Sequence, residues 1–536
     1  GGGGPVTGTD HVLRLDSSVL IAQGVQDGDM LVAAEGDGST IGVRCGAAGC
    51  ITYAVANTAG GHAEGHITFT LTGHCQTPAT MPAGSGGGQQ STFYFAEGFT
   101  GPGFTECLVM FSPGTSGPAR IDFFTTGGGT SSVYVWLFAG QVETLDVNGA
   151  VGWYQDVSAK VTLPGPGVVE RVMNFQFGQW HGSSDVAGAP TPTAEWDFAE
   201  GSTLSAFDEF LTLENPNSTS TPVQLAYFLD NGGHPIKTLT IPAQSRTTIE
   251  VFSGSGADST NCVPRGVGAS CGIGRGIGGV GVSVTAGASI IAERPMYVDG
   301  HDFGSGPIND GDVAFGANGP GNSWDFAEGT TLGGFNEYLT LADPSSADAN
   351  VTMTFQDQSG NQTVRNVVVP ASQRRTVQVF DPVQGVGPGV PGVSVQVTSN
   401  VGIVSERPEY VYHDFGSGPV AGADVVVGAR VAAKLFDFAG ATTRTGENDY
   451  LTVLNPGASA ANLTITYYLT GSPSVKTMPV AAGSRLTIQV FDPTQGVGTG
   501  VGLLGVTVSS DQPVLVEKPT YSSSPSTYGA TDTLGN

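Results

Sequence analysis

Hydrophobic and polar residues alternate along most of this 536-residue chain. Segments such as "NVTMTFQD" (350–357), "RTVQVFD" (375–381) and "VSVQVTS" (393–399) carry an apolar or β-branched side chain at every second position. A period of two is typical of strands with one buried face, and Gly, Asn, Asp and Pro between the segments indicate turns. Because no segment sustains the 3.6-residue period of an amphipathic helix, the pattern predicts an all-β protein with almost no helix.

Three short words recur four times in the same order. The first is "FYFAEG" (93–98), "WDFAEG" (196–201 and 324–329) and "FDFAGA" (436–441). The second is "ECLVMFSP", "EFLTLENP", "EYLTLADP" and "DYLTVLNP", and the third is "VVERVM", "IAERPMY", "VSERPEY" and "LVEKPTY". We therefore predict four tandem immunoglobulin-like β-sandwiches at 91–192, 193–320, 321–432 and 433–536, preceded at 1–90 by a small β domain with an extended N-terminal arm.

The three words resemble the secreted β-sandwich repeats of bacterial surface proteins, a family of unknown function. The resemblance covers about residues 91–522 and implies a secreted, surface-exposed protein without a known activity.

Charge and composition narrow the possible partners. The chain has 47 acidic and 20 basic residues, and this surplus disfavours binding to nucleic acid or to anionic membranes. No apolar run approaches the roughly 18–20 residues of a membrane span. The chain starts at Gly1 without a leader, and it has six cysteines and few lysines, so we expect a mature secreted protein located outside the cell or at its surface.

The word "HDFGSGP" occurs at 301–307 and again at 413–419. His301, Asp302 and Ser305 are the residue types of a nucleophilic triad, but such triads converge from distant segments. The corresponding loops of the first and last repeats differ in sequence. We therefore predict a structural loop and no catalytic residue, the alternative being a contact between repeats or between subunits that involves some ligand.

A glutamate and an arginine recur together in the first three repeats. They are Glu97 with Arg171, Glu200 with Arg294, and Glu328 with Arg407, whereas the fourth repeat has Gly440 and Lys518. Removal of one partner of a buried ion pair costs about 3–5 kcal/mol, so the two residues are expected to be kept or lost together. We hypothesise a buried Glu–Arg pair within each of the first three repeats, the alternative being a coincidence in one divergent copy.

The cysteines suggest disulfides. Cys262 and Cys271 lie in a stretch that makes the second repeat longer than the third, and we predict that they form a bridge across it. A local Cys45–Cys50 bridge is plausible, which would leave Cys75 for Cys107.

Metal ions and glycans are the remaining candidate ligands. His62, His66, His74 and Cys75 suggest zinc, and the "DGD" words at 27–29 and 310–312 suggest calcium, but neither spacing fits a metal motif. We predict no metal and no cofactor. Asn217, Asn361 and Asn462 begin glycosylation sequons.

Four stiff sandwiches in a row suit a mechanical function. We predict a non-enzymatic extracellular filament subunit whose partner is itself. The apolar alternation of the N-terminal arm (His11, Leu13, Leu15, Val19 and Ile21) suggests head-to-tail assembly by strand addition. A surface adhesin that binds glycans is the alternative, and a hydrolase with accessory sandwiches is a weaker one.

Overall fold

A computed structural model describes residues 90–178, 180–254, 269–416, 418–524 and 527–535, together with six short strands between residues 31 and 65. The chain divides into two compact units, Gly1–His74 and Cys75–Asn536. The described residues are almost entirely strands, which confirms the predicted all-β class.

The first unit contains a four-stranded antiparallel sheet of order β1-β2-β5-β6 and a separate two-stranded ladder of β3 and β4. Its strands are β1 (Leu31–Ala33), β2 (Thr40–Gly42), β3 (Cys45–Gly46), β4 (Gly49–Cys50), β5 (Tyr53–Ala56) and β6 (His62–Gly65).

The second unit contains four copies of one two-sheet sandwich. Repeat 1 consists of β7 (Ser91–Phe95), β8 (Phe104–Phe111), β9 (Gly117–Thr125), β10 (Thr130–Leu137), β11 (Val142–Asp146), α1 (Val147–Val151), β12 (Val157–Leu163), β13 (Val168–Phe177) and β14 (Trp180–Ala187). Repeat 2 consists of β15 (Thr193–Phe198), β16 (Phe207–Asn215), β17 (Thr221–Leu229), β18 (Ile236–Ile241), β19 (Ser245–Glu250), β20 (Ser270–Cys271), β21 (Val280–Val298), β22 (His301–Asp302), β23 (Pro307–Ile308) and β24 (Gly311–Phe315).

The last two copies follow the same plan. Repeat 3 consists of β25 (Gly321–Phe326), β26 (Phe335–Asp343), β27 (Ala349–Asp357), β28 (Gln362–Val369), β29 (Gln373–Gln378), β30 (Val393–Asp414) and β31 (Pro419–Val427). Repeat 4 consists of β32 (Ala433–Ala441), β33 (Glu447–Asn455), β34 (Ala461–Tyr468), β35 (Ser474–Val480), β36 (Ser484–Gln489), β37 (Leu504–Ser524) and β38 (Thr527–Leu534).

One long strand connects the two sheets of a sandwich. In repeat 3, the first half of β30 pairs with β27 and β25, and its second half pairs with β26 and β31. β21 and β37 do the same in repeats 2 and 4. In repeat 1 this strand is divided into β12 and β13, because Pro164 and Pro166 between them lack the N–H groups that a ladder needs. Each repeat has its own apolar core between its sheets.

The four repeats of the second unit form a closed ring. The last strand of each repeat, which we call its inner strand (β14, β24, β31 and β38), packs against the inner strands of two other repeats, in the cyclic order β14, β24, β31, β38 and back to β14. Repeat 4 therefore contacts repeat 1, and the predicted open row of sandwiches is wrong. Head-to-tail contacts that repeat with a constant rotation generate a ring when the rotation closes, as it does here after four steps.

Candidate functional site: the buried charges of the ring

A cluster of buried charges joins repeat 2 to repeat 3. The carboxylate of Glu406 accepts hydrogen bonds from the backbone N–H groups of Ala199 and Glu200 and pairs with Arg294 at 2.9 Å. In the opposite direction, Arg374 of repeat 3 pairs with the carboxylate of Glu200 at 2.7 Å and donates to the carbonyl of Ala199 at 2.8 Å. All four charged side chains are at least nine-tenths buried, so each ion depends on its partner across the interface.

The same arrangement recurs at two other interfaces. Between repeats 1 and 2, Glu293 pairs with Arg171 at 2.9 Å, and Arg246 pairs with Glu97 at 2.7 Å. Between repeats 3 and 4 the corresponding pairs are Glu517 with Arg407 at 2.8 Å and Arg485 with Glu328 at 3.1 Å. Repeats 2, 3 and 4 thus each extend a glutamate and an arginine to the repeat before them.

The seam between repeats 4 and 1 keeps half of this arrangement. Glu170 accepts hydrogen bonds from the backbone N–H groups of Ala439 and Gly440, both at 2.8 Å. Its cationic partner is Lys518, whose Nζ lies 3.1 Å from Glu170 and 2.8 Å from Asp185. The glutamate of repeat 1 therefore closes the ring on the last repeat.

Apolar contacts replace the second ion pair at the seam. The strand register places Val142 where Arg246 stands in repeat 2, opposite a Gly440 that replaces the glutamate. The ring of Phe111 packs against Tyr468, with centroids 4.9 Å apart, and a Cβ at Gly505 would lie 2.3 Å from it. The seam therefore lacks both the glutamate and the arginine of the second ion pair, and apolar side chains pack in the space that they occupy at the other interfaces.

The structure corrects the predicted ion-pair partners. Glu97, Glu200, Glu328, Arg171, Arg294 and Arg407 all lie in buried ion pairs, but every pair joins two repeats. Within a repeat, the arginine contacts only the backbone carbonyl of the glutamate, for example Arg294 Nη1 to Glu200 O at 2.7 Å. The glutamates pair instead with Arg246, Arg374 and Arg485, which the three words do not include but which recur in the sequences "QSRTT", "SQRRT" and "GSRLT".

Each interface also buries a further carboxyl group, from the first residue of the second word. Burial, the largest effect, raises the pKa of Glu106 and of Glu209 to about 8 and that of Asp449 to about 7, although neighbouring cations lower it. The pKa of Glu337 is raised well above the usual value, by burial and then by Glu409. Glu106 and Glu209 are mainly protonated at neutral pH.

Aspartates of the inner strands connect the repeats around the ring axis. Asp310 of repeat 2 is fully buried and accepts hydrogen bonds from the backbone N–H groups of Gly311 (2.8 Å), Ala423 (2.9 Å) and Ala530 (3.4 Å). Burial raises the pKa of its carboxyl group well above the usual value. Inner strands do not pair edge to edge, so such carboxyl groups satisfy N–H groups that no ladder satisfies.

A cavity of about 470 Å³ lies at one end of the inner strands. Its lining comes from all four repeats and includes Val186, Phe315, Val427 and Leu534. Asp185, Asp312 and Asp532 also line it. Asp312 accepts from Ser184 Oγ at 2.8 Å and from Val425 N at 3.0 Å, and Asp532 pairs with Arg407, so these acids hold the ring together.

The "HDFGSGP" loops are contacts between repeats. Asp302 accepts hydrogen bonds from the N–H groups of Gly304 and Gly306, which shapes the turn. Phe303 then stacks on Tyr410 of repeat 3, with ring centroids 3.8 Å apart. Asp414 and Phe415 repeat this geometry against Tyr521 of repeat 4. His301 packs near Phe303, and Ser305 accepts from Asn336, so the structure gathers no nucleophilic triad from this loop.

The cysteine predictions are only partly within reach of the described residues. Cys107 and Cys271 are disulfide-bonded, but the partners proposed for them, Cys75 and Cys262, lie outside the described residues. Cys45 and Cys50 face each other in the register of β3 and β4, which suits a bridge. The three pairings stay predictions.

The other candidate ligands are not tested by the geometry. Among the described residues, no three His, Cys, Asp or Glu side chains come together as metal ligands, whereas the side chains of His62, His66, His74 and Asp27–Asp29 lie outside them. Asn361 and Asn462 are exposed, and Asn217 donates its amide hydrogens to Asn215 and Ser289. Glycosylation stays a prediction. Nor is any described helix long and apolar enough to cross a membrane.

No family model and no curated protein matches the chain. Among solved structures it is similar to Thermotoga maritima 1070, with 18% identity, 21% of this chain and 96% of that chain covered, and a TM-score of 0.19. A tetra-tandem repeat from the extending region of a large adhesion protein has 11% identity, 83% and 98% coverage and a TM-score of 0.10. The FN1–FN3 domains of chicken CNTN1 have 11% identity, 64% and 99% coverage and a TM-score of 0.09. At such scores these likenesses carry no inference about function.

Proposed function

We propose that this chain is a non-enzymatic extracellular structural protein, with its second unit as a rigid building block. The observation that carries the proposal is the use of the recurring charged residues. Among the described residues, all of them bind a neighbouring repeat and are buried in the interfaces between repeats. Charges that are buried and paired in this way stabilise the assembly of the repeats and leave no acid–base pair open to an external substrate.

Copies of the chain join, in this proposal, through strand addition by the N-terminal arm. Because the inner strands of the four repeats already contact one another, we assign the link to the N-terminal arm, which precedes the repeats in the sequence. β28 of repeat 3 is a suitable acceptor, because among the described strands it pairs with β27 alone and forms the edge of its sheet. Val364 and Val368 on this strand are 51% and 45% exposed, which is unusual for an edge without a partner. The alternating apolar residues of the arm, between His11 and Ile21, match such an edge.

Electron microscopy of the native material and of the recombinant chain tests assembly. We expect filaments from the full chain, and dispersed particles after deletion of residues 1–22 or after Val364→Lys with Val368→Lys. The melting temperature of the ring serves as the control and should stay unchanged. Dispersed particles from the full chain at all concentrations would rule out the filament.

A glycan-binding adhesin is the second candidate, and one observation favours it. Trp153 and Tyr154 of repeat 1 are 60% and 71% exposed, and Tyr154 has a φ of 62°, a rare conformation for a residue with a side chain. Adjacent exposed aromatic rings are a common platform for sugars. Binding on a glycan array that is lost in Trp153→Ala with Tyr154→Ala would favour this candidate over the filament.

A further inference from the structure

The cation at the seam differs in kind from those at the other interfaces. The "ER" word supplies Arg171, Arg294 and Arg407 in the first three repeats, but Lys518 in the fourth. Its Nζ is fully buried between two carboxyl groups of repeat 1, 2.8 Å from Asp185 Oδ2 and 3.1 Å from Glu170 Oε2. The three residues thus bring an amine, a carboxyl acceptor and a second carboxyl group into direct contact.

We propose that Lys518 and Asp185 become joined by an amide bond, which locks the ring covalently where its last repeat meets its first. Glu170 acts as the proton carrier of the reaction. The proposal rests on the closed ring and is independent of whether the chain forms filaments.

The comparison with repeat 3 explains why this bond would form at the seam. Arg407 contacts Asp532 of repeat 4 through its guanidinium group, much as Lys518 contacts Asp185 of repeat 1. A guanidinium group stays charged and is a poor nucleophile, whereas a lysine amine attacks carbonyl carbon once it has lost a proton. Only the seam, among the described interfaces, therefore has the residues for condensation.

The reaction balances without a further reagent. Lys518 transfers a proton from Nζ to Glu170, and the neutral amine attacks Cγ of Asp185. The Nζ–Cγ bond forms, the bond from Cγ to one carboxyl oxygen breaks, and Glu170 passes its proton to that oxygen. A second Nζ proton reaches the same oxygen by way of Glu170. The oxygen leaves as water with two of the three Nζ protons of the ammonium group, and the third stays on the amide.

The surroundings favour the product once it forms. Lys518 and Glu170 are fully buried and Asp185 is nine-tenths buried, so little water reaches the bond to hydrolyse it. Burial raises the pKa of Asp185 to about 7, which helps its carboxyl oxygen to accept the protons with which it leaves. Burial lowers the pKa of Lys518, but Asp185 and Glu170 raise it above the usual value, so proton transfer has to precede attack.

Intact-mass spectrometry of the full chain, denatured and with its disulfides reduced, tests the proposal. We expect a mass lower than that of the sequence by one water molecule, and a branched peptide that contains Lys518 and Asp185 after proteolysis. Lys518→Arg, which restores the residue of the other repeats, should keep the ring but have the full mass. Glu170→Gln should lose most of the cross-link.

Peptide mapping separates this proposal from its rivals. A linear Lys518 peptide in quantitative yield from the wild-type chain would overturn it, as would a branch to Glu170 in place of Asp185. Since the decisive measurement uses the wild-type chain, a variant that fails to fold does not affect the conclusion.

Discussion

Asp310 shows how one side chain holds several repeats. It stands at the position where the other inner strands have Gly182, Gly422 and Gly529. A Cβ at Gly182 would lie only 1.5 Å from Asp310 Oδ1, and one at Gly529 would lie 2.6 Å from Oδ2. The glycines leave space on the axis, and a single carboxyl group fills it and binds backbone of repeats 3 and 4 as well as its own.

Asp310→Ala should destabilise the ring strongly. The change leaves the N–H groups of Gly311, Ala423 and Ala530 without an acceptor, and each buried orphan costs about 1–3 kcal/mol. Urea unfolding followed by tryptophan fluorescence measures the loss. Asp302→Ala is the matched control. The carboxylate of Asp302 also accepts hydrogen bonds from backbone N–H groups, but it lies in an exposed loop, where water can take over as the acceptor after the change. Equal effects of the two changes would contradict the role assigned to Asp310.

The surplus of buried carboxyl groups gives the ring an unusual pH dependence. An acid whose pKa is raised on folding binds its proton more tightly in the folded state, so unfolding releases protons as the pH rises between the unfolded and the folded pKa. For Glu106 and Glu209 this window runs from 4.5 to about 8. We therefore expect the free energy of unfolding to fall as pH increases across the window, and to change little from this cause above it.

Glu209→Gln tests the pH dependence at one residue. The amide has no proton to lose, so the slope of unfolding free energy against pH between 5 and 8 should become shallower. Asp357→Asn is the control. Burial raises the pKa of Asp357, but hydrogen bonds from Asn361, Ser359 and Gly360 together lower it below the usual value, so its carboxyl group is already ionised in this window. An unchanged slope in Glu209→Gln would show that Glu209 is not protonated at neutral pH.

At the level of elements, the sequence predicts features set by neighbouring residues, such as strands, but it does not predict which distant side chains form contacts. Alternation over five to nine residues was sufficient to predict strands such as Ala349–Asp357, because a strand's two faces are set by neighbouring residues. The joint absence of the glutamate and the arginine in repeat 4 suggested that these two residues pair, but the structure shows otherwise. The glutamate missing at Gly440 would have paired with an arginine at the position of Val142, whereas Lys518 keeps Glu170 as its partner. The partner of each glutamate could not be deduced from the sequence. Because the glutamate and the arginine recur in every one of the first three repeats, the sequence pattern is the same whether they pair within one repeat or between two neighbouring repeats.

The interface pairs can be tested with the seam as a template. Glu200→Gly alone leaves Arg374 buried without its carboxylate, and Arg374→Val alone leaves Glu200 without its cation, so each should cost about 3–5 kcal/mol. The double variant reproduces the Gly440 and Val142 combination of the seam. We expect its cost to be lower than the sum of the two by about 0.5–3 kcal/mol. A double-mutant cycle in urea measures this difference, and strict additivity would mean that the two residues do not interact.

Closure of the ring is a property of the whole second unit. In an open array, each repeat contacts only its sequence neighbours, and removal of a terminal repeat costs one interface. In this ring, Glu170 binds the backbone of repeat 4, although 269 residues separate it from Ala439. Removal of repeat 4 therefore breaks two interfaces and exposes charged groups on both sides of the gap.

Deletion of residues 433–536 separates the two architectures. In the ring, the truncated chain loses the partners of Glu170 and Asp185 in repeat 1 and those of Arg407 and Glu328 in repeat 3. Since unpaired buried ions cost several kcal/mol each, we expect the remaining repeats to melt well below the intact chain or to assemble through their open ends. Calorimetry combined with light scattering measures both results. A monomeric truncated chain that melts at the temperature of the intact protein would mean that repeats 1 and 4 do not hold each other.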